Sequence, residues 1–434
     1  MLKEQLIIIA NFVPEITRIQ FMRRSIFRKP VDYSGSLGQI AWQKFKRNRL
    51  SMIALCFIIL AVLVAVSGYL ITPDKTHFAN RQYLELSARK PGFKVKMLKV
   101  RKNKMHEKKG FLQTMLYGRE SQYRSIPYYQ SDFKEDHVSI ELFTGDKPNA
   151  GMEQQFSYAN IAFAVDTDKA SEIRDGQLLF TDISGERQEV NLEELKEQLR
   201  SENFKEHRFL LGSDRFGRDL LSRLLIGTRV SLSVGFISVL ISLIIGITLG
   251  SVAGFFRGWV DDLIIWLINV VWSIPTLLLV IAITFALGKG FWQIFIAVGM
   301  TMWVEVARVV RGQVISLREK EFIEAAKALG YQNARIIIRH ILPNVMGAVI
   351  VISAANFASA ILIEAGLSFL GIGVQPPMPS WGTMIKEHYA YIILDSAYLA
   401  ILPGIAIMLM VLAFMLVGNG LRDALDVKAV KTRQ

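Results

Sequence analysis

Cysteine is almost absent from this chain, since Cys56 is the single one among 434 residues. The chain therefore cannot form an internal disulfide, and a small secreted fold held by disulfides is excluded. Histidine is scarce as well, with six residues scattered along the sequence. A metal site built from clustered histidines and cysteines is therefore not predicted.

Motifs of catalytic and nucleotide-binding sites are also missing. The phosphate-binding pattern G-x-x-x-x-G-K-S/T does not occur, because the Gly-Lys-Gly sequence at 288–290 lacks its spacing. No H-E-x-x-H zinc motif is present, and no Ser/His/Asp arrangement stands out. We therefore predict that the chain is not an enzyme and binds no cofactor itself, so that any ATP hydrolysis takes place on another chain.

Long apolar runs are missing from residues 73–208, whose composition is that of a soluble domain, but they fill much of the remaining sequence. The first run covers residues 51–72, and a helix needs about 20 apolar residues to span a bilayer. We predict an all-α polytopic membrane protein with six transmembrane helices. The five later spans are expected at residues 230–253, 263–287, 291–310, 345–369 and 397–417.

Basic residues are in excess, and the formal net charge is +13. They form no stripe with interleaved aromatics, so nucleic acid is not an expected partner. Ten of them precede the first span, including Arg23, Arg24 and Arg49, and basic flanks favour the cytoplasmic side. With six spans, both termini are then cytoplasmic. The loop after the fourth span, which carries Arg318 and Arg335, agrees independently with this topology.

Residues 73–208 are expected to form a small α+β domain outside the cytoplasm. Alternation at 137–143 predicts a strand, and 176–183 followed by Ser-Gly predicts a hairpin. Residues 191–199 predict a capped helix. A basic patch at 89–109 fits anionic lipid headgroups, an acidic face of a partner protein, or a solvated loop, and the sequence leaves these three interpretations open.

The loop between the fourth and fifth spans has the most informative pattern. Residues 318–329 predict a helix, which Gly330 ends in a left-handed conformation. A second short helix is expected from Asn333, with Pro343 closing it. Small alanines on the first helix would let another protein's backbone approach closely. We therefore predict that this hairpin is a docking surface.

The hairpin resembles the cytoplasmic signature of the permeases of binding-protein-dependent ABC importers. That signature is E-A-A, three residues, G, nine residues, I, one residue, L-P. The matching positions here are Glu324, Ala325, Ala326, Gly330, Leu342 and Pro343. His340 replaces the isoleucine, and this departure is similar to the R-H-I-L-P-N variant of the dipeptide, oligopeptide and nickel branch.

Other motifs resemble the same branch. They are the L-G-x-D-x-x-G-R-D pattern within 211–232, in which Ser213 replaces threonine, the G-x-G-x-Q-P-P-x-P-S-W-G pattern at 371–382, and G-L-R-D-A-L-D at 420–426. We read residues 211–225 as a capped amphipathic helix leading into the second span. The resemblance is loose over 41–73, close over 209–427, and absent over 74–208. The predicted segments are 1–50 (cytoplasmic), 51–72 (first span), 73–208 (insert), 209–427 (permease core) and 428–434 (cytoplasmic tail).

The resemblance implies a fold, partners and a mechanism. The fold would be that of a type I ABC importer permease. The partners would be a second permease, two ATP-binding subunits that hold ATP and magnesium, an extracytoplasmic solute-binding protein and the lipid bilayer. The helix carrying Glu324 would seat on an ATP-binding subunit in the inner membrane of a bacterium. A dipeptide, an oligopeptide and a nickel chelate all remain open as substrates, and a secondary transporter or channel is the alternative from another class.

Ionisable residues within the spans are candidates for the translocation path or a subunit interface. They are Glu305 and Arg308 in the fourth span and Glu364 in the fifth. Glu305 and Arg308 lie three residues apart, so a structural ion pair between them fits equally well. Pro275 and Pro403 are expected to kink their helices.

Overall fold

The structure is a computed structural model that describes residues 37–105, 110–145, 148, 151–288 and 290–425. Part of the predicted cytoplasmic region, residues 1–36 with Arg23 and Arg24, therefore lies outside the described residues. The same holds for residues 106–109 of the basic patch and for the predicted tail at 428–434.

Helices make up most of the described chain. In chain order they are α1 (Leu37–Arg47), α2 (Arg49–Ser67), α3 (Phe111–Tyr117), α4 (Tyr158–Ala162), α5 (Leu192–Glu202), α6 (Leu220–Phe256), α7 (Gly258–Trp272), α8 (Thr276–Leu287), α9 (Phe291–Arg318), α10 (Glu321–Ala328), α11 (Asn333–Ile336), α12 (Leu342–Leu370), α13 (Trp381–His388) and α14 (Tyr398–Leu425).

Within the described residues, five helical stretches are long and apolar enough to cross a membrane: α2 with its following turn, α6, α9, residues 333–370, and α14. The third predicted span, 263–287, is instead the pair α7 and α8, which bends by 94°. The break falls at Ser273–Pro275, where proline removes a backbone donor. The predicted kink at Pro275 is confirmed, whereas Pro403 lies inside the continuous helix α14.

Helices α6 and α9 form the tightest contact of the bundle, because α6 presents a stripe of glycines. A Cβ at Gly250 would come within 2.5 Å of the Ala307 carbonyl oxygen, and one at Gly254 within 2.8 Å of the Arg311 carbonyl oxygen. Small residues spaced four apart let helix backbones approach closely, which is how membrane helices gain packing energy. The stripe therefore sets the distance between α6 and α9.

The insert between α2 and α6 holds two antiparallel sheets. The larger one has the order β4-β3-β2-β1-β8 and the smaller one β5-β6-β7. The strands are β1 (Phe93–Arg101), β2 (Tyr123–Phe133), β3 (His137–Leu142), β4 (Glu153–Ser157), β5 (Glu172–Arg174), β6 (Gln177–Thr181), β7 (Arg187–Asn191) and β8 (Phe204–Phe209). Because β1 pairs with β8, the two ends of the insert meet in one sheet.

The elements predicted within the insert are confirmed. Strand β3 covers most of the alternating segment, and β6 and β7 form the hairpin. Asn191 caps α5 by accepting from two backbone N–H groups. Leu192, Leu195 and Leu199 are buried in a core shared with Leu98 of β1. The spacing of these leucines places them on one helical face, which is why the helix packs on the sheet.

The basic patch is largely strand β1, with Lys94 paired to Glu206 at 3.3 Å. One expectation next to the insert is corrected. The segment 211–219 is not helical, since α6 begins at Leu220 after its N-cap Asp219. Residues before Asp219 instead form turns around the buried Asp214 carboxylate, and these local hydrogen bonds compete with helix formation.

Candidate functional site

The hairpin between α9 and α12 begins with the eight-residue helix α10. Ile323 and Ala326 are buried and pack against the ends of α6, α9 and α12. Glu324 and Ala325 point outward and are exposed. Of the three E-A-A residues, Ala326 thus holds the helix to the bundle, while the other two form an outward face.

Gly330 ends α10 in the way the sequence predicts. Its φ is +77°, in the left-handed region that favours glycine. The N–H of Gly330 donates to the Lys327 carbonyl at 2.9 Å, and the N–H of Tyr331 donates to the Ala326 carbonyl at 3.2 Å. These two bonds form a Schellman motif, which satisfies carbonyls at the helix end and reverses the chain.

The second arm differs from the prediction at its end. Helix α11 continues through a π-helical turn at Ile337–Ile341 directly into α12, and Pro343 stands in the first turn of α12. Proline is tolerated there because the first N–H groups of a helix need no partner within it. The expectation that Pro343 closes the arm was therefore wrong. Leu342 is half-buried and Pro343 exposed at the junction.

His340, the departure from the family signature, has a packing role. Its ring stacks on Tyr331 with centroids 5.8 Å apart and planes 17° apart. The Arg335 guanidinium lies 4.5 Å from the centroid of the same Tyr331 ring. The two arms of the hairpin are thus joined by a stack just beyond Gly330, which stiffens the reversal.

Two of the membrane candidates lie beside a cavity of about 320 Å³ between the bent pair, α9 and α12. Glu305 lines it together with Trp272 and Ser359. The Arg308 guanidinium lies 3.6 Å from the centroid of the Trp272 ring. Among the described residues no ion pair joins Glu305 to Arg308, so Glu305 faces the cavity without a paired cation.

Glu364 lies apart from that cavity and is completely buried in α12. The Ser368 hydroxyl donates to one carboxylate oxygen at 2.7 Å and accepts from the Val374 N–H at 3.2 Å. In the part of the chain that is described, the other oxygen of Glu364 has no hydrogen-bond partner. Within this chain Glu364 therefore supports the turn after α12.

A buried cluster of charged residues, which the sequence did not predict, joins the segment 214–223 to α13. Arg218 donates to Asp214 at 2.5 Å and to Glu387 at 2.7 Å. Arg223 lies 3.5 Å and 3.6 Å from the same two carboxylates. His388 accepts from the Arg215 N–H at 3.5 Å. The residues come from the motif within 211–232 and from the end of α13, so the cluster joins two segments that are distant in the sequence.

The charges of this cluster balance within the protein. Asp214, Glu387 and His388 offer atoms within 4.8 Å of one another. Two guanidinium groups already neutralise the two carboxylates, and this disfavours a metal cation between them. Burial lowers the pKa of His388, although its hydrogen bond to the Met384 carbonyl acts in the opposite direction. The cluster is therefore a structural clamp, and the repeated acidic and basic residues at 214–223 were its sequence signal.

Two family models match the chain. Residues 246–431 match the model described as binding-protein-dependent transport system inner membrane component. Residues 36–90 match the model described as the N-terminal transmembrane domain of oligopeptide transport permease C. The match over 36–90 includes α2 and the beginning of the insert, where the sequence showed no resemblance, and the match over 246–431 includes the hairpin and the helices from α7 to α14.

Curated relatives match about half of the chain. The dipeptide transport system permease protein DppC of Alkalihalophilus pseudofirmus is 46% identical over 51% of this chain and 72% of its own length. The glutathione transport system permease protein GsiD of Pectobacterium atrosepticum is 43% identical over 50% and 72%. The oligopeptide transport system permease protein OppC of Bacillus subtilis is 38% identical over 52% and 73%.

A solved structure is also similar to part of the chain. A chain of the inward-facing methionine ABC transporter MetNI is 18% identical, with a TM-score of 0.40. The alignment covers 47% of this chain and 97% of that chain.

Proposed function

Because the chain belongs to the family of binding-protein-dependent transport system inner membrane components, we propose that it is a permease subunit of an ATP-driven peptide importer in a bacterial inner membrane. The relatives described above, whose names specify dipeptide, glutathione and oligopeptide transport, support a peptide substrate. None of the three is named for nickel, so the nickel-chelate alternative is less favoured. Family membership likewise argues against a secondary transporter or channel.

The chain would supply half of the translocation path. Counting α7 and α8 as one broken span would give six spans among the described residues. The basic residues before the first span would then put the insert on the outer side and α10 on the cytoplasmic side. The cavity lined by Glu305 and Ser359 would then face the path. An unpaired carboxylate at this point suits the ammonium group of a peptide. A second permease would supply the other half, and a solute-binding protein would deliver peptide on the side of the insert.

The observation that carries the coupling role is the outward face of α10. It presents Glu324 and Ala325 between two spans, while Ile323 and Ala326 tie the helix to α6, α9 and α12. A displacement of α10 by a bound protein would therefore be transmitted directly to three membrane helices. The chain has no phosphate-binding motif, so ATP and magnesium would bind the partner subunits.

Two substitutions test this role in the complete complex reconstituted in proteoliposomes. Glu324→Lys reverses the charge of the docking face, and Gly330→Val places a β-branched residue at φ +77°. A left-handed residue with a Cβ costs roughly 1–2 kcal/mol, so the turn should distort. Both variants should reach the membrane but lose most of their ATP-driven dipeptide uptake. They should also co-purify with less ATP-binding subunit than the parent does.

Matched controls separate coupling from general damage. Gly330→Asn should keep uptake, because asparagine tolerates the left-handed region far better than valine. Glu186→Lys makes the same charge change at an exposed turn of the insert and should be neutral. Normal uptake by Glu324→Lys and by Gly330→Val would refute the coupling role.

A further inference from the structure

Helix α3 of the insert exposes an unusual amount of apolar surface for its length. Four of its seven residues are large and exposed: Phe111 at 68%, Leu112 at 66%, Leu116 at 49% and Tyr117 at 59%. None of the residues of α3 is buried. A contiguous apolar patch of this kind marks an interaction site rather than a face in contact with water.

An arginine of the membrane bundle holds this helix. Arg229 of α6 donates to the carbonyls of Met115 at 3.0 Å and Leu116 at 2.7 Å, in the last turn of α3. The same guanidinium donates to the carbonyls of Ala65 at 2.7 Å and Val66 at 3.2 Å, in the last turn of α2. Cations stabilise helix C-termini, and the Arg229 guanidinium binds the C-termini of both α2 and α3. Helix α3 therefore lies at the level where α2 ends.

The exposed surface of α3 lies beside an exposed apolar surface at the end of α2. Helix α2 is long and apolar enough to span a membrane, and Leu63 and Val66 near its end are 57% and 54% exposed. Basic side chains flank α3 on both sides, with Lys104 before it and Arg119 after it, both exposed. Apolar residues at the membrane boundary with basic residues beside them are typical of an interfacial helix.

We propose that α3 is an interfacial membrane anchor, whose apolar side chains enter the headgroup and acyl boundary of the leaflet in which α2 ends. The partner is the phospholipid bilayer, and anionic headgroups near the flanking basic residues add to the attraction. The anchor attaches the insert to the membrane at a further point, in addition to its two covalent connections to α2 and α6. This role holds whichever side of the membrane carries the insert, and whatever the transported substrate is.

The test measures the membrane depth of a fluorophore on α3 in the full-length protein reconstituted in vesicles. Cys56→Ser removes the native thiol, and Leu112→Cys then carries an environment-sensitive dye. Ser184→Cys, in an exposed turn of the insert, is the matched control. With lipids that carry a quencher near the headgroup, the dye at 112 should shift to the blue and lose most of its emission, while the dye at 184 keeps its emission.

A second variant guards against a misleading result from the dye itself. Phe111→Asp with Leu116→Asp, in the Leu112→Cys background, should return the dye to an aqueous spectrum and abolish quenching. The proposal is overturned if the dye at 112 is as exposed to water as the dye at 184. It is equally overturned if the dye becomes shielded only when a partner protein is added and lipid quenching stays absent.

Discussion

At the scale of single residues, burial lowers the pKa of His388, which lies beside the charged cluster of Asp214 and Glu387. It is completely buried, lies at the end of α13, and is bonded to backbone on both ring nitrogens. A neutral ring is needed there, because one nitrogen accepts from the Arg215 N–H while the other donates to the Met384 carbonyl. Protonation would place a second donor against that N–H.

The folded protein should therefore become less stable on acidification. Because the folded pKa of His388 is lowered by burial, the unfolded chain takes up the proton first. The stabilisation is present above about pH 6.5, the ordinary pKa of histidine, and is lost as pH falls toward the lower folded pKa. Unfolding temperatures measured from pH 7.5 down to about 5.5 should show this decline.

A variant identifies the histidine responsible. His388→Gln should remove only part of the decline of the unfolding temperature with falling pH. The rest should remain, because burial lowers the pKa of His207 as well. A decline that survives in full in His388→Gln would exclude the buried ring as its source.

At the scale of elements, the contact between α6 and α9 depends on backbone proximity. Gly250→Val would place atoms within 2.5 Å of the Ala307 carbonyl, and neither helix can move without disturbing the rest of the bundle. Overpacking in a well-packed core costs typically about 1–3 kcal/mol. We expect a clear loss of unfolding temperature and of folded protein in detergent.

The control for this contact is another glycine in a long apolar helix. Gly404 of α14 has no atom within 4 Å of a hypothetical Cβ. Gly404→Val should therefore leave the unfolding temperature of the purified chain almost unchanged. Equal losses in the two variants would contradict the role of the close contact, because valine has a higher helix propensity than glycine and propensity alone predicts no loss.

At the scale of the whole molecule, the proposed topology has the insert outside the cytoplasm and α10 in the cytoplasm. In a Cys56→Ser background, a cysteine at Ser184 should react with an impermeant thiol reagent in whole cells, and a cysteine at Lys327 should not. Both positions are exposed, so access to the reagent depends on the side of the membrane. Permeabilised cells should label both positions. The opposite pattern in intact cells would reverse the proposed topology.

Local sequence patterns determined much of this protein. Continuous apolar runs, the leucine spacing of α5 and the glycine after α10 each depend on residues within one or two turns. Backbone preferences and hydrophobic periodicity act over that distance. The apolar runs, the strand at 137–142, the hairpin after residue 176 and the left-handed Gly330 were therefore predicted correctly, and the spaced motifs identified the family.

Tertiary packing decided the rest. Arg218 and Glu387 are 169 positions apart, and Arg229 and Ala65 are 164 apart, so no local pattern predicts that they pair. The 94° bend between α7 and α8, and the passage of α11 through a π turn into α12, depend on neighbouring helices that pack beside them. Local preferences allow a helix to continue or to break at a proline, and contacts with distant residues select between the two outcomes.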